Sequence, residues 1–258
     1  MIVPAGVLFD LDGVIYQGGN LIDGAIATLN FLDNIGVPYR FITNTTRMTK
    51  LSLVSSLEKM GFKTIPERVF ASPHAAIEYC KAKGLKRILL IVPDPEMKSD
   101  FSYFELVDEN PEVIVLGDMG PMFSFELMNR LFKNMMDGSH LVALHKNRYW
   151  LSEDGLTIDL GAFVAALEYA SGKTAAIMGK PNPNIFNLAA KGWDVPHESV
   201  FMVGDDIEAD ICGAKNAGMK SVLVKTGKYC ENVLVHSKIK PDHIIESVAD
   251  LPALFKLN

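Results

Sequence analysis

Val7-Leu8-Phe9-Asp10-Leu11-Asp12-Gly13-Val14 runs three apolar residues straight into two carboxylates, and a glycine then lets the chain turn. An apolar run of this kind predicts a buried strand. A buried strand ending in acids places them at the carboxyl edge of a sheet, where open α/β folds bind ligands. Asp10 and Asp12 are two apart, so they cannot share a direction if the strand continues. One can face a reacting phosphorus while the other passes a proton, a pairing of nucleophile with general acid and base. The competing reading is a plain turn, since Asp and Gly often end strands.

Outward from this stretch the sequence alternates strand and helix. A helical pattern from Asp23 or Gly24 stops at Gly36, the strand Tyr39-Arg40-Phe41-Ile42 follows, and a second helix spans about Thr49 to Met60. Between that strand and helix lies Thr43-Asn44-Thr45-Thr46, which suits either an anion cradle or a helix cap. Further strands are expected at Arg87–Val92, Val113–Leu116, Leu141–Leu144, Ala175–Met178, Val200–Val203, Ser221–Val224 and Ile244–Ile245. Helices are expected over Ser72–Lys83, Ser124–Met136, Gly161–Ala170, Ile185–Lys191, from near Asp210 through Ala217, and Val248–Phe255. The middle of the chain forms its own α/β pattern, so an inserted domain is expected over 79–177, between core segments 1–78 and 178–258.

Strand ends carry the chemistry. Asp10 and Asp12 close one, Thr43 another, Lys180 a third through Gly179-Lys180-Pro181-Asn182-Pro183, and Asp205, Asp206 and Asp210 a fourth. If the strands are parallel, these ends meet on one edge. Clustered carboxylates without thiol or imidazole partners suit a hard cation, and Mg²⁺ is the usual one beside phosphate. Asp10 would then attack a phosphoryl group, Asp12 would protonate the leaving oxygen, and Thr43, Asn44 and Lys180 would hold or offset the phosphoryl charge. His145-Lys146-Asn147-Arg148-Tyr149-Trp150 is the densest cationic and aromatic cluster. It reads equally as a substrate-facing segment or a solvated loop.

The chain has 258 residues, net charge −6, 48% hydrophobic and 22% charged residues, which is ordinary for a globular protein and argues against a nucleic-acid face. No apolar run reaches the roughly 20 residues of a membrane span. MIVPAGVLFD reads as a first strand rather than a signal peptide. Cys80, Cys212 and Cys230 have neither metal spacing nor an even count for a disulfide framework, so the cytoplasm is expected. Ser171-Gly172-Lys173-Thr174 mimics a P-loop but has Leu167 where the first glycine is required. Leu116-Gly117-Asp118 mimics Gly204-Asp205 and is read as a strand-end turn.

Asp10-Leu11-Asp12-Gly13-Val14, Thr43, Gly179-Lys180-Pro181 and Gly204-Asp205-Asp206 through Asp210 resemble the four motifs of the haloacid dehalogenase superfamily, end to end. The segment between the second and third motifs resembles the type-two (C2) cap of its NagD-like phosphatases. His145–Trp150 and Val224-Lys225-Thr226-Gly227-Lys228-Tyr229 resemble the branch named for phospholysine, phosphohistidine and pyrophosphate hydrolysis. The resemblance implies an α/β, Rossmann-like three-layer parallel-sheet core with an inserted α/β C2 cap. It also implies an Mg²⁺-dependent phosphatase acting on small phosphorylated metabolites through an aspartyl-phosphate, with no nucleic-acid or membrane partner, and it allows a homodimer. Mg²⁺ would sit on the Asp10 carboxylate, the Asp12 backbone carbonyl and Asp205. Asp206, Asp210 and Gly13 would give support, and His145, Lys146, Asn147 and Arg148 would face substrate from the cap. Where NagD members carry Asn-x-Asp in the cap loop, this chain has His145-Lys146-Asn147. Alternatives are a phosphomutase or phosphotransferase, for which the Val14–Phe41 gap is short, and a non-enzymatic protein that binds phosphometabolites.

Overall fold

The structure is a computed structural model that describes residues 4–62, 64–152 and 155–255. Residues 1–3, 63, 153–154 and 256–258 lie outside that description, as do the side chains of residues 150–152, Trp150 included. The chain divides into two compact units. One holds the described residues up to Thr43, Leu53–Phe70 and those from Lys180 onward; the other holds Asn44–Ser52 and Ala71–Gly179.

The first unit is built on a six-stranded sheet in the order His243–Ile245, Lys220–Val224, Val200–Gly204, Gly6–Phe9, Tyr39–Thr43, Val69–Ala71. Gly6–Phe9 lies near the middle, parallel to both neighbours, with Val7 opposite Phe201 on one side and Tyr39 on the other. Every residue of Gly6–Phe9 and Val200–Gly204 is buried. These strands read as unbroken apolar runs because a parallel sheet is covered on both faces. The rings of Phe9, Tyr39, Phe41 and Phe62 pack in a chain with centroids 5.2–6.2 Å apart.

Helices lock this sheet. Ala25–Asn34 packs against the turn Val248–Asp250 and the short helix Leu251–Leu254, where Thr28 Oγ1 donates to the Val248 carbonyl at 2.9 Å. Helix Pro183–Ala190 packs on Gly6–Phe9 and Tyr39–Thr43. Its final carbonyls are met by Arg40, which donates to the oxygens of Ala189 and Lys191 at 2.6 and 2.7 Å and lies over the Trp193 ring. A cation at a helix C-terminus satisfies carbonyls that have no intrahelical partner.

The second unit carries a five-stranded parallel sheet in the order Ala176–Ile177, His140–Ala143, Val113–Leu116, Arg87–Ile91, Glu105–Leu106. Helices Phe125–Met136 and Leu160–Ser171 pack together over it, burying Leu131, Met135, Leu160, Val164 and Leu167 against Leu89, Ile114 and Leu141.

Several expectations need correction. Ala176–Ile177 pairs with His140–Ala143 and so belongs to the second sheet. Lys180 therefore does not close a strand of the first sheet. It comes from the crossing segment between the units, just ahead of helix Pro183–Ala190. The expected helix around Asp210 opens as a π-type turn, Ile207–Ile211, before the α-helix Cys212–Asn216. The closing helix is a 3₁₀ turn followed by Leu251–Leu254. Two antiparallel hairpins, Tyr16–Gln17 with Asn20–Leu21 and Tyr149–Ser152 with Gly155–Ile158, and the helix Glu231–His236 have no counterpart in the sequence reading.

Candidate active site

Asp10, Asp205, Asp210 and Lys180 converge. Asp10 follows strand Gly6–Phe9, and its backbone N–H still donates to the Val203 carbonyl of the neighbouring strand at 2.9 Å. Its Oδ1 accepts from the Leu11 N–H at 2.8 Å and from the Lys180 ammonium at 2.8 Å. Lys180 reaches Asp210 Oδ1 at 2.7 Å, while Asp210 Oδ2 takes the Asp206 N–H at 3.1 Å. Gly204 makes this possible: a β-carbon there would stand 2.2 Å from the Asp210 side chain.

Asp205 is held differently. Its Oδ2 accepts from the Lys228 N–H at 2.7 Å, and its Oδ1 is buried without a hydrogen-bond partner among the described residues. Carboxylate oxygens of Asp10, Asp205 and Asp210 lie within 4.8 Å of one another. Three carboxylates this close, largely out of water, repel. Burial first, then Asp10 and Asp210, push the Asp205 carboxyl well above the usual range. Lys180 pays a burial cost, but Asp10 and Asp210 outweigh it and hold the ammonium charged. Burial and the Asp10 charge also push Asp210 upward, against the pull of Lys180. Contact with Lys180 at 2.7 Å decides that contest in favour of an ion pair. Asp205 Oδ1 is left unanswered, and an orphaned buried carboxylate oxygen beside two further carboxylates fits a hard divalent cation.

Asp12 lies just outside the cluster at the start of the Gly13 turn, where Gly13 has φ +83°. Although Asp12 reaches the surface, desolvation and then Asp10 raise its carboxyl above the ordinary value, with Lys228 pulling the other way. The side chains of Asp10 and Asp12 thus stand in distinct surroundings: among the described residues Asp10 is in an ion pair and Asp12 is not. Asp206 is a cap: its Oδ1 accepts from the N–H groups of Glu208 and Ala209 at 2.9 and 3.0 Å. Thr43 closes its strand in a buried position.

The remaining candidates make contacts within the second unit. Asn44 Nδ2 donates to Asn147 Oδ1 at 3.4 Å, and Ser72 Oγ donates to Asn44 Oδ1 at 3.4 Å. His145 is buried with Nε2 3.8 Å from Asp159. Lys146 pairs with Glu168 at 2.5 Å. Arg148 lies 5.9 Å from the Tyr149 ring centre. The 145–148 segment is therefore neither wholly solvated nor uniformly outward. Asp118 of the Gly204-Asp205 mimic pairs with Arg47 at 2.5 Å.

Two neighbours of the carboxylates were missed in the sequence. Tyr16 shares the turn, and its phenol is pushed up to about 12 by burial and then by Asp12 and Asp10. Lys228 remains strongly protonated because Asp206, Asp10 and Asp205 outweigh its desolvation. The only signal for Lys228 was the Thr226-Gly227-Lys228 stretch just beyond a strand of the first sheet.

A parallel α/β sheet with an acid-rich carboxyl edge defines a class, and comparison with known proteins identifies it. Models of haloacid dehalogenase-like hydrolases match residues 7–103 and 177–251. The chain is 36% identical over 253 residues to the phospholysine phosphohistidine inorganic pyrophosphate phosphatase of Xenopus laevis, covering 94% of this chain and 91% of that one. It is 37% identical over 223 residues to haloacid dehalogenase-like hydrolase domain-containing protein 2 of Bos taurus, covering 86% and 85%. A crystal structure of a 4-nitrophenylphosphatase from Thermotoga maritima superposes with a TM-score of 0.90 at 28% identity, covering 98% of both chains. The chain belongs to the haloacid dehalogenase-like hydrolases. Within them it is a phosphatase, a hydrolase of phosphate esters. Among the described residues no helix is long and apolar enough to cross a membrane.

Proposed function

We propose that the protein is an Mg²⁺-dependent phosphatase of small phosphorylated metabolites that works through an aspartyl-phosphate on Asp10. The observation that carries this reading is the asymmetry of the acid cluster: Asp210 is tied to Lys180 and the Asp206 N–H, whereas Asp205 keeps a buried Oδ1 with no hydrogen-bond partner among the described residues. Asp10 and Asp205, with the Asp12 backbone carbonyl, would hold Mg²⁺, which when bound offsets the charge of the phosphoryl oxygens.

The chain's own residues supply the rest. Both protein contacts described for Asp10 fall on Oδ1, so Oδ2 is the atom assigned to attack phosphorus. As that O–P bond forms, the bond from phosphorus to the leaving oxygen breaks, and Asp12 gives its proton to that oxygen. Asp12 then takes a proton from water, the water oxygen bonds to phosphorus, and the acyl phosphate breaks to release inorganic phosphate and Asp10. Lys180 holds Asp10 in place through their 2.8 Å contact. Thr43 and Asn44 are assigned to the phosphoryl oxygens. The second unit is read as the C2 cap, with His145, Lys146, Asn147 and Arg148 setting substrate choice. Phospholysine, phosphohistidine and pyrophosphate enter as candidate substrates from the name of the Xenopus relative.

Hydrolysis of p-nitrophenyl phosphate in Mg²⁺, in EDTA and by Asp10→Asn tests the reading, together with the mass of the Asp10 peptide after acid quenching. Turnover that needs the metal and Asp10, with a phosphoryl mass added to that peptide, supports it. Turnover that survives in EDTA or in Asp10→Asn refutes it.

A further inference from the structure

We propose that Thr226-Gly227-Lys228 is a strap that aims the Asp205 carboxylate, so that Thr226 and Gly227 are positioning residues for the divalent cation. The inference rests on the reading of Asp10 and Asp205 as cation ligands.

Strand Lys220–Val224 delivers this stretch to the Gly13 turn. The Thr226 hydroxyl donates to the Gly13 carbonyl, and the Lys228 N–H donates to Asp205 Oδ2 at 2.7 Å. Between them the two glycine backbones close on the same oxygen. A β-carbon on Gly227 would stand 2.0 Å from Asp205 Oδ2 and 2.6 Å from Gly13 Cα; one on Gly13 would stand 2.2 Å from that oxygen. Gly227 has φ +63°, which also favours glycine. One face of the Asp205 carboxylate is therefore enclosed by backbone and hydrogen-bonded. The other oxygen, Oδ1, is buried with no hydrogen-bond partner among the described residues. A carboxylate free to rotate would exchange its two oxygens, whereas this one presents a single fixed oxygen. The Thr226 bond extends the same control to the turn whose Asp12 carbonyl is assigned to the cation. A strap of this kind does for carboxylates what hydrogen-bonded partners do for metal-ligating imidazoles.

The test uses Mn²⁺ as the probe, with binding to the full-length protein followed by electron paramagnetic resonance and thermal unfolding measured in EDTA. Thr226→Val keeps the shape and removes the donor. It is expected to weaken Mn²⁺ binding by about tenfold and to raise the Mg²⁺ needed for half-maximal turnover in parallel, while Thr226→Ser stays within about twofold of the parent. KM for p-nitrophenyl phosphate at saturating Mg²⁺ is expected to be unchanged. Gly227→Ala is expected to weaken Mn²⁺ binding further; should it fail to fold, Thr226→Val still decides the matter. Parent-like Mn²⁺ binding by Thr226→Val, or equal weakening by Thr226→Val and Thr226→Ser, overturns the strap and leaves the phosphatase reading standing. A parent protein that binds no Mn²⁺ and needs no metal for turnover overturns both.

Discussion

Lys180 and Asp210 meet at 2.7 Å with no more than 3% of either side chain exposed, and the same ammonium reaches Asp10 at 2.8 Å. A single buried cation thus fixes the assigned nucleophile to a second acid that holds no other duty in the proposed chemistry. Asp210 is the anchor of Lys180, as Lys180 is of Asp10.

Removing the cation strands a buried charge. Lys180→Met is expected to lose about 3–5 kcal/mol of stability in EDTA, read by urea unfolding, because breaking a buried pair leaves its partner uncompensated. Lys180→Met combined with Asp210→Asn should regain much of that stability and none of the turnover. Full recovery of both, or loss of neither, would separate Lys180 from the site.

Asp12 donates to the leaving oxygen, so its value depends on how much the leaving group needs a proton. Asp12→Asn is expected to slow hydrolysis of an alkyl phosphate by about 10²–10⁴-fold and that of p-nitrophenyl phosphate by clearly less, since nitrophenolate leaves readily unprotonated. Equal losses on the two substrates would assign Asp12 a role other than proton transfer.

Gly204→Ala is expected to damage the site through Asp210. The added β-carbon would fall 2.2 Å from that side chain, so Asp210 must move and the Lys180 contact with it. A stability loss of about 1–3 kcal/mol, typical of overpacking, should accompany a fall in kcat. A variant with parental stability and kcat would show that the strand can give way.

His74 gives the second unit a pH dependence of its own. It accepts from the Ala71 N–H at 3.3 Å, and burial, then the Lys50 charge, lower its pKa to about 4. The folded value lies below the unfolded one near 6.5, so between them the unfolded chain binds more protons and stability falls as pH drops. The loss begins near pH 6.5, is complete below about 4, and reaches at most about 3 kcal/mol. His74→Gln can accept the same bond without titrating, so its unfolding free energy should show a shallower slope across that window. Parallel slopes would remove His74 as the cause.

Much of the first sheet was legible because its strands are buried on both faces and read as plain apolar runs. Val200–Gly204 and Lys220–Val224 end close to where their sequences change character. The convergence of Asp10 and Asp205 followed from parallel pairing alone. Lys180 was found for a reason that proved incomplete: its strand belongs to the other sheet, and a crossing segment brings it to Asp10. Illegible were features fixed by distant partners. Buried His145 meets Asp159, and the Gly13 carbonyl takes the Thr226 hydroxyl from far away in sequence. Short hairpins such as Tyr16–Leu21 hold too few residues for a periodicity to register.

The strand order has a consequence for synthesis. Gly6–Phe9 is synthesised well before Val200–Gly204, the strand that completes one of its edges. At about 5–20 residues per second, that edge stays unpaired for roughly ten to forty seconds. During this interval Arg87–Ile91 through Ala176–Ile177, contiguous in the chain, can already assemble their own sheet. An interrupted translation product would therefore lack the acids that complete the centre while displaying an apolar strand edge, so quality control should meet it as an aggregation hazard before any partial activity could arise.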